Sequence, residues 1–208
     1  IACHNPQTIP GHPSDDVDAP QRRTVGDIVG EIRRAAPFIS GVTVSGGEAT
    51  RQPRFVRALF TALRDDPALR HLTRFVDSNG ACDLELWDGL LDDGLMDAAM
   101  IDLKCLDPAI HEQITGRPND QVLASIGRLA ERGALHELRL LLMSGLNDDP
   151  GLISRTGRWL AAEIDPTMRI KIIGFHEHGT RPHDPPIVER GDEQLAHAAD
   201  LLDAEGDF

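Results

Sequence analysis

Apolar residues recur along this chain in two alternating rhythms. Short runs rich in Val, Ile and Leu fall at 42–44, 72–76, 98–103, 138–143 and 168–173, and each stops at Ser, Asp, Lys or Gly. Such runs predict buried strands ending in turns. Between them, apolar residues return every three or four positions, which predicts amphipathic helices. The first carries Val25, Ile28, Val29 and Ile32, with Thr24 as its N-cap and a stop before Pro37. The next starts at Pro53 and shows Phe55, Val56, Leu59, Phe60 and Leu63 on one face. A short helix holds Leu84, Leu86, Trp87, Leu90 and Leu91 and closes near Gly94; others are predicted over 121–132, 152–164 and 192–204. Residues between Lys104 and Gln121 read as a loop, and 1–23, broken by Pro6, Pro10 and a Pro- and Asp-rich stretch, read as a loop and polar connection.

The order is a helix followed by five strand-helix units. Alternation at this interval implies an α/β fold with a parallel sheet and right-handed crossovers. A sheet that begins with a helix lacks its first strand, and the economical completion is a partial (βα)6 barrel, TIM-like, whose first strand precedes Ile1. One domain over 1–208 is expected. In such folds ligands sit at the carboxyl ends of the strands. There the chain offers Gly46, Gly47 and Glu48, then Asp77 and Asn79, then Asp102 with Lys104, with Arg139 along its strand, and His176. Each has a plain structural reading as a turn, a cap or a solvated side chain. Taken together, on one rim, they make a pocket of carboxylates, cations, an imidazole and bare backbone, suited to a zwitterionic ligand bearing hydroxyls. The Asp65-Asp66, Asp92-Asp93 and Asp148-Asp149 pairs read as caps and solvated faces.

Composition narrows this further. At 208 residues, 40% hydrophobic and 26% charged, the chain reads as globular, and a net charge of −13 argues against unaided binding to a nucleic-acid backbone. No apolar run approaches the roughly 20 residues of a membrane span, so neither nucleic acid nor membrane is expected as a partner. Cys3, Cys82 and Cys105 are too sparse for a disulfide framework, which points to a reducing, cytoplasmic setting. Cys82 and Cys105 read as small hydrophobes; Cys3 sits in a loop with His4.

With those residues laid out, the chain resembles the radical S-adenosylmethionine (SAM) enzymes, specifically the glycyl radical enzyme activases of the YjjW and pyruvate formate-lyase activating types. The resemblance rests on CHNP at 3–6, VTVSGGEAT at 42–50, DPALRHLTRFVDSNG at 66–80, IDLK at 101–104, HEQITGR at 111–117, RLLLMSGLNDD at 139–149 and GFHEHG at 174–179. It implies that Cys3 is the third cysteine of a CxxxCxxC loop holding a [4Fe–4S] cluster, with the other two upstream of Ile1, and is both metal ligand and catalytic residue. Gly46, Gly47 and Glu48 would receive the amino end of SAM, with Asp77 and Asn79 bordering it, and Asp102, Lys104, Arg139 and His176 would position its carboxylate, ribose or adenine. The implied reaction is anaerobic: one electron, from a flavodoxin or ferredoxin-type donor, cleaves SAM, and a 5′-deoxyadenosyl radical takes hydrogen from a glycine of a partner glycyl radical enzyme. His111, Thr115 and Gly116 would help to receive that partner's loop. Between Cys3 and Val42 there is no ferredoxin-like insert, which draws the chain toward the simpler pyruvate formate-lyase and anaerobic ribonucleotide reductase activases. Two other readings remain open here: a cluster-less relative that binds only SAM or a partner, and a divalent-metal lyase using Asp77, Asp102 and His176.

Overall fold

The structure is a computed structural model that describes residues 21–177, 187–189 and 191–208. Five strands, β1 (Gly41–Val44), β2 (Thr73–Ser78), β3 (Ala98–Leu103), β4 (Leu135–Leu142) and β5 (Ile170–Gly174), form one sheet in the order β1-β2-β3-β4-β5, with every neighbouring pair parallel. Spatial order equals chain order, so the crossovers never reverse direction. Right-handed connections of that kind all fall on the same side of the sheet. The expected α/β architecture is therefore present, and five strands wound one way constitute part of a barrel.

Helices α1 (Val25–Ala35), α2 (Pro53–Asp65), α3 (Leu84–Asp92), α4 (Pro108–Thr115), α5 (Asp120–Glu131), α6 (Pro150–Glu163) and α7 (Asp192–Asp203) accompany the sheet. Thr24 caps α1 as the sequence predicts, in a reciprocal box with Asp27. The main core joins Val56, Leu59 and Phe60 of α2, Trp87 and Leu90 of α3, and Ile126 and Leu129 of α5 to Val76, Ile101, Leu103, Leu138 and Leu140 of the strands. Successive strand residues point to opposite faces, so this core consumes one face of the sheet and leaves the other to Ser45, Asp77, Asp102 and Arg139. A register shift between Ala99 and Met100 sets Glu137 opposite Met100 and Arg139 opposite Asp102. One extra residue on β4 thus turns two charged side chains away from the helices.

The segment after Lys104, expected as a loop, contains α4. Its signals are local: the Asp107 side chain accepts from the backbone N–H groups of Ala109 and Ile110, Pro108 occupies the first turn, and Gly116 closes the helix at φ 75°. Eight residues with few apolar positions give a weak periodic pattern, and for that reason the cap signals outweigh the stripe. Ile110 and Ile114 of this helix pack with Leu141, Met143, Ile173 and Phe175 in a second, smaller core. Since Leu141 and Ile173 are register partners two positions beyond Arg139 and Lys171, α4 covers the carboxyl end of the open face at β4 and β5. Among the described residues no helix is long and apolar enough to cross a membrane.

Candidate functional site

The uncovered face carries a continuous polar network. Ser45, one residue past β1, donates to the Asp77 carboxylate (3.0 Å), and Arg139 Nη1 donates to both Asp77 oxygens (3.0 and 2.9 Å) from two strands away. The same guanidinium donates from Nε to Glu137 (2.8 Å) and from Nη2 to the Met100 sulfur (3.1 Å). Arg169 reaches the other oxygen of Glu137 at 3.1 Å. Glu137 is only 5% exposed, so its charge depends on these two guanidinium groups. Hydrogen bonds and the charges of Glu137 and Asp77 raise the Arg139 pKa against an opposing desolvation cost, so Arg139 stays a cation under all ordinary conditions.

One layer nearer the strand ends, Lys104 Nζ pairs with Asp102 at 2.8 Å. Asn147, buried in the loop after β4, donates to the Lys104 and Leu141 carbonyls and accepts from the Met143 amide. It ties the ends of β3 and β4 together beneath the rim.

At the β1 end the turn through Gly46 and Gly47 is exposed, and Gly46 adopts φ +129° with open space where a side chain would stand. Any other residue would be strained there, and the bare turn leaves its backbone open to a ligand. Glu48 follows. Its carboxylate accepts from the Thr50 amide and hydroxyl (3.0 and 2.8 Å), the Ser78 hydroxyl (2.8 Å) and the Asn79 amide (2.8 Å). Four neutral donors fix its orientation and none neutralises it. The β2 turn is held from below by a buried chain in which Trp87 Nε1 donates to Ser125 Oγ (2.9 Å) and Ser125 donates to the Gly80 carbonyl (2.7 Å). Gly80 itself has φ +73°, with Ile101 3.0 Å from where a Cβ would lie.

The predicted residues therefore meet in three joined groups: Glu48 with Asn79, Asp77 with Arg139, and Asp102 with Lys104 beside Arg139. His176 stands apart, exposed beyond β5, with its Nδ1 3.3 Å from Glu189. Cys3 lies outside the described residues. His111 does not fit the expected role of meeting a partner's loop. It is 3% exposed with Nδ1 3.3 Å from the Cys105 carbonyl, and burial lowers its pKa. Burial also pushes the Cys82 thiol up to about 12, helped by the Glu48 charge, and Cys105 to about 11. Both pack with the apolar clusters, which agrees with their reading as small hydrophobes. The metal-lyase reading finds no footing: Asp77 and Asp102 are committed to cations, and among the described residues no three His, Cys, Asp or Glu groups converge on a point where a metal could sit. Ser45, Met100, Glu137 and Ser125 belong to the network or its support, and Lys171 stands on the same face without joining it; none was singled out from the sequence. Two-residue alternation from Arg139 was the signal for Glu137, and strand pairing for Lys171.

A singly wound βα protein with one polar face, a bare glycine turn and an oriented carboxylate at its strand ends presents chemistry that suits a small amine-bearing ligand. The chain belongs to the Radical SAM superfamily, whose sequence profile matches residues 2–152. That family uses a [4Fe–4S] cluster and SAM, and an oriented carboxylate beside open backbone fits the ammonium end of SAM. The chain is 28% identical over 215 residues to the pyruvate formate-lyase-activating enzyme of Staphylococcus epidermidis, covering 96% of this chain and 81% of that protein, and 28% identical over 213 residues to the one from Staphylococcus aureus. A solved domain of pyruvate-formate lyase-activating enzyme from Bacteroides vulgatus superposes with TM-score 0.63 at 24% identity, over 80% of this chain and 94% of that one. A radical SAM methyltransferase from Sphaerobacter thermophilus superposes with TM-score 0.70 at 14% identity, over 91% of this chain and 57% of that one, which speaks to the fold alone. Both solved structures speak to the fold; the family match and the Staphylococcus relatives mark the chain as an oxidoreductase-type activating enzyme.

Proposed function

We propose that this chain activates a glycyl radical enzyme of the pyruvate formate-lyase type. When bound, the cluster supplies one electron to SAM, which yields methionine and a 5′-deoxyadenosyl radical able to take a hydrogen atom from a glycine of the partner. The chain's own residues bind and orient. Glu48 receives the ammonium of SAM, with its carboxylate already aimed by Ser78 and Asn79. Gly46 and Gly47 let the methionyl end lie against the backbone. Asp102 accepts from ribose hydroxyls while Lys104, its ion-pair partner, balances its charge. Arg139 holds Asp77 as an acceptor at the border of the same ligand. Cys3 contributes one thiolate to the cluster.

The single observation carrying this reading is Glu48, a fixed carboxylate with four neutral donors and, among the described residues, no cation, next to a glycine turn that admits backbone contact. The test uses the natural full-length protein, reconstituted anaerobically, with iron, sulfide and 5′-deoxyadenosine measured under a strong reductant. The expected result is a cluster and SAM cleavage, both abolished by Cys3→Ala. A folded, natural-length protein with neither would overturn the reading in favour of a binding-only relative.

A further inference from the structure

Among the described residues, charges on the open face pair off, with one exception at each end. Lys104 is matched by Asp102, Arg139 by Asp77 and Glu137, and Arg169 by Glu137. Glu48, at the β1 end, is the unmatched anion. At the other end is Lys171, which β4–β5 pairing sets opposite Arg139 and so on the same face. Lys171 is exposed, and its side chain makes no hydrogen bond or ion pair among the described residues. Of the 21 Lys and Arg residues in the chain only Lys104 and Lys171 are lysines, and both stand on this face or at its end. Everywhere else the chain meets its need for positive charge with arginine.

Lys171 is not needed for the amino-acid head group of SAM. Its ammonium and carboxylate are attached to the same carbon, and Lys104 and Arg139, at the end of β3 and on β4, stand between Glu48 and Lys171 in the strand order, so nearer cations are at hand for that carboxylate. With the ammonium at Glu48, Lys171 is left for a different reactant. Among the described residues β5 is the sheet's edge on that side, with an unpaired flank along which an extended segment can arrive.

We propose that Lys171 recognises an anionic side chain on the glycine-bearing segment of the protein substrate and so helps to set which partner is activated. This rests on the activase reading. A purely structural role exists for an inward charge on an edge strand, namely discouraging edge-to-edge pairing, but that role is indifferent to the charge of the substrate.

The experiment follows 5′-deoxyadenosine formation by the reconstituted full-length enzyme with glycine-centred heptapeptides flanked by Glu, Gln or Lys. The readout is the ratio of kcat/KM for acidic over basic peptides within each variant, so a general loss of activity cancels. We expect the wild type and Lys171→Arg to favour acidic peptides by about fivefold, the worth of one partly screened ion pair, and Lys171→Glu to reverse the order. A ratio unchanged in Lys171→Glu, or a change confined to the KM for SAM, overturns the inference while leaving the activase reading intact. Absence of SAM cleavage in the wild type removes both.

Discussion

The two faces of this sheet are made from the same five strands and do opposite work. On the helix side, Val76, Ile101, Leu103, Leu138 and Leu140 vanish into a continuous apolar core. On the open side, the residues between them in sequence are Asp77, Asp102, Glu137 and Arg139: Arg139 on β4 reaches across β3 to Asp77 on β2 and also holds Glu137, while Asp102 pairs with Lys104. Alternation alone separates the two sets, so a one-residue slip in any strand would exchange stability for chemistry. The β4 irregularity shows how finely this is set: its extra residue is what turns Glu137 out of the core and beneath Arg139.

That division predicts distinct failures. Leu138→Ala removes a side chain that is 0% exposed and packed against α-helical and strand neighbours, and it should cost about 2–5 kcal/mol of stability, read as a lower urea midpoint. SAM affinity of the fraction that remains folded should hold. Arg139→Met is the counterpart on the open face. It strands the Asp77 carboxylate and leaves Glu137 to Arg169 alone, so we expect a smaller stability loss of about 1–3 kcal/mol together with about tenfold weaker SAM binding by calorimetry. If Leu138→Ala damaged SAM affinity more than Arg139→Met at equal folded fraction, the separation of the faces would be wrong.

Most of the helix side was legible in the sequence because burial imposes a period on every residue it touches. The strands, α1 with its Thr24 cap, and the helices after each strand follow from that period. The polar face was legible only at the strand ends, where Gly46-Gly47-Glu48, Asp77 and Asp102 break an apolar run. Glu137 was hidden because β4 starts at Leu135, three residues before the apolar run that predicted it, and a bulge in pairing leaves no trace in one strand's own sequence. Ser125 was hidden because its partner, the Gly80 carbonyl, lies 45 positions away in sequence. Lys171 looks like any solvated lysine until Arg139 is known to be committed elsewhere.

Helix α4 is where the contrast between faces gives way, and it offers the finest test. Above Arg139 and Lys171 the open face turns apolar at Leu141 and Ile173, and there α4 covers it through Ile110 and Ile114. The face is polar where it is bare and apolar where it is covered. His111, on the same helix, is buried with its ring near the Cys105 carbonyl, and desolvation lowers its pKa below the ordinary 6.5, with Lys104 adding to the effect and the carbonyl opposing it. The folded protein therefore binds fewer protons at this site than the unfolded chain does. Well above pH 6.5 neither state is protonated there and stability is independent of pH; as pH drops through 6.5 toward the folded pKa stability falls, by at most about 1.4 kcal/mol for each pH step of one. We expect the Tm of the wild type to fall between pH 7.5 and 5.5 more steeply than that of His111→Asn, which keeps a donor for the carbonyl and cannot titrate. Parallel slopes would mean that α4 holds its place without regard to the charge of His111, and that the apolar cap over β4 and β5 depends on Ile110 and Ile114 alone.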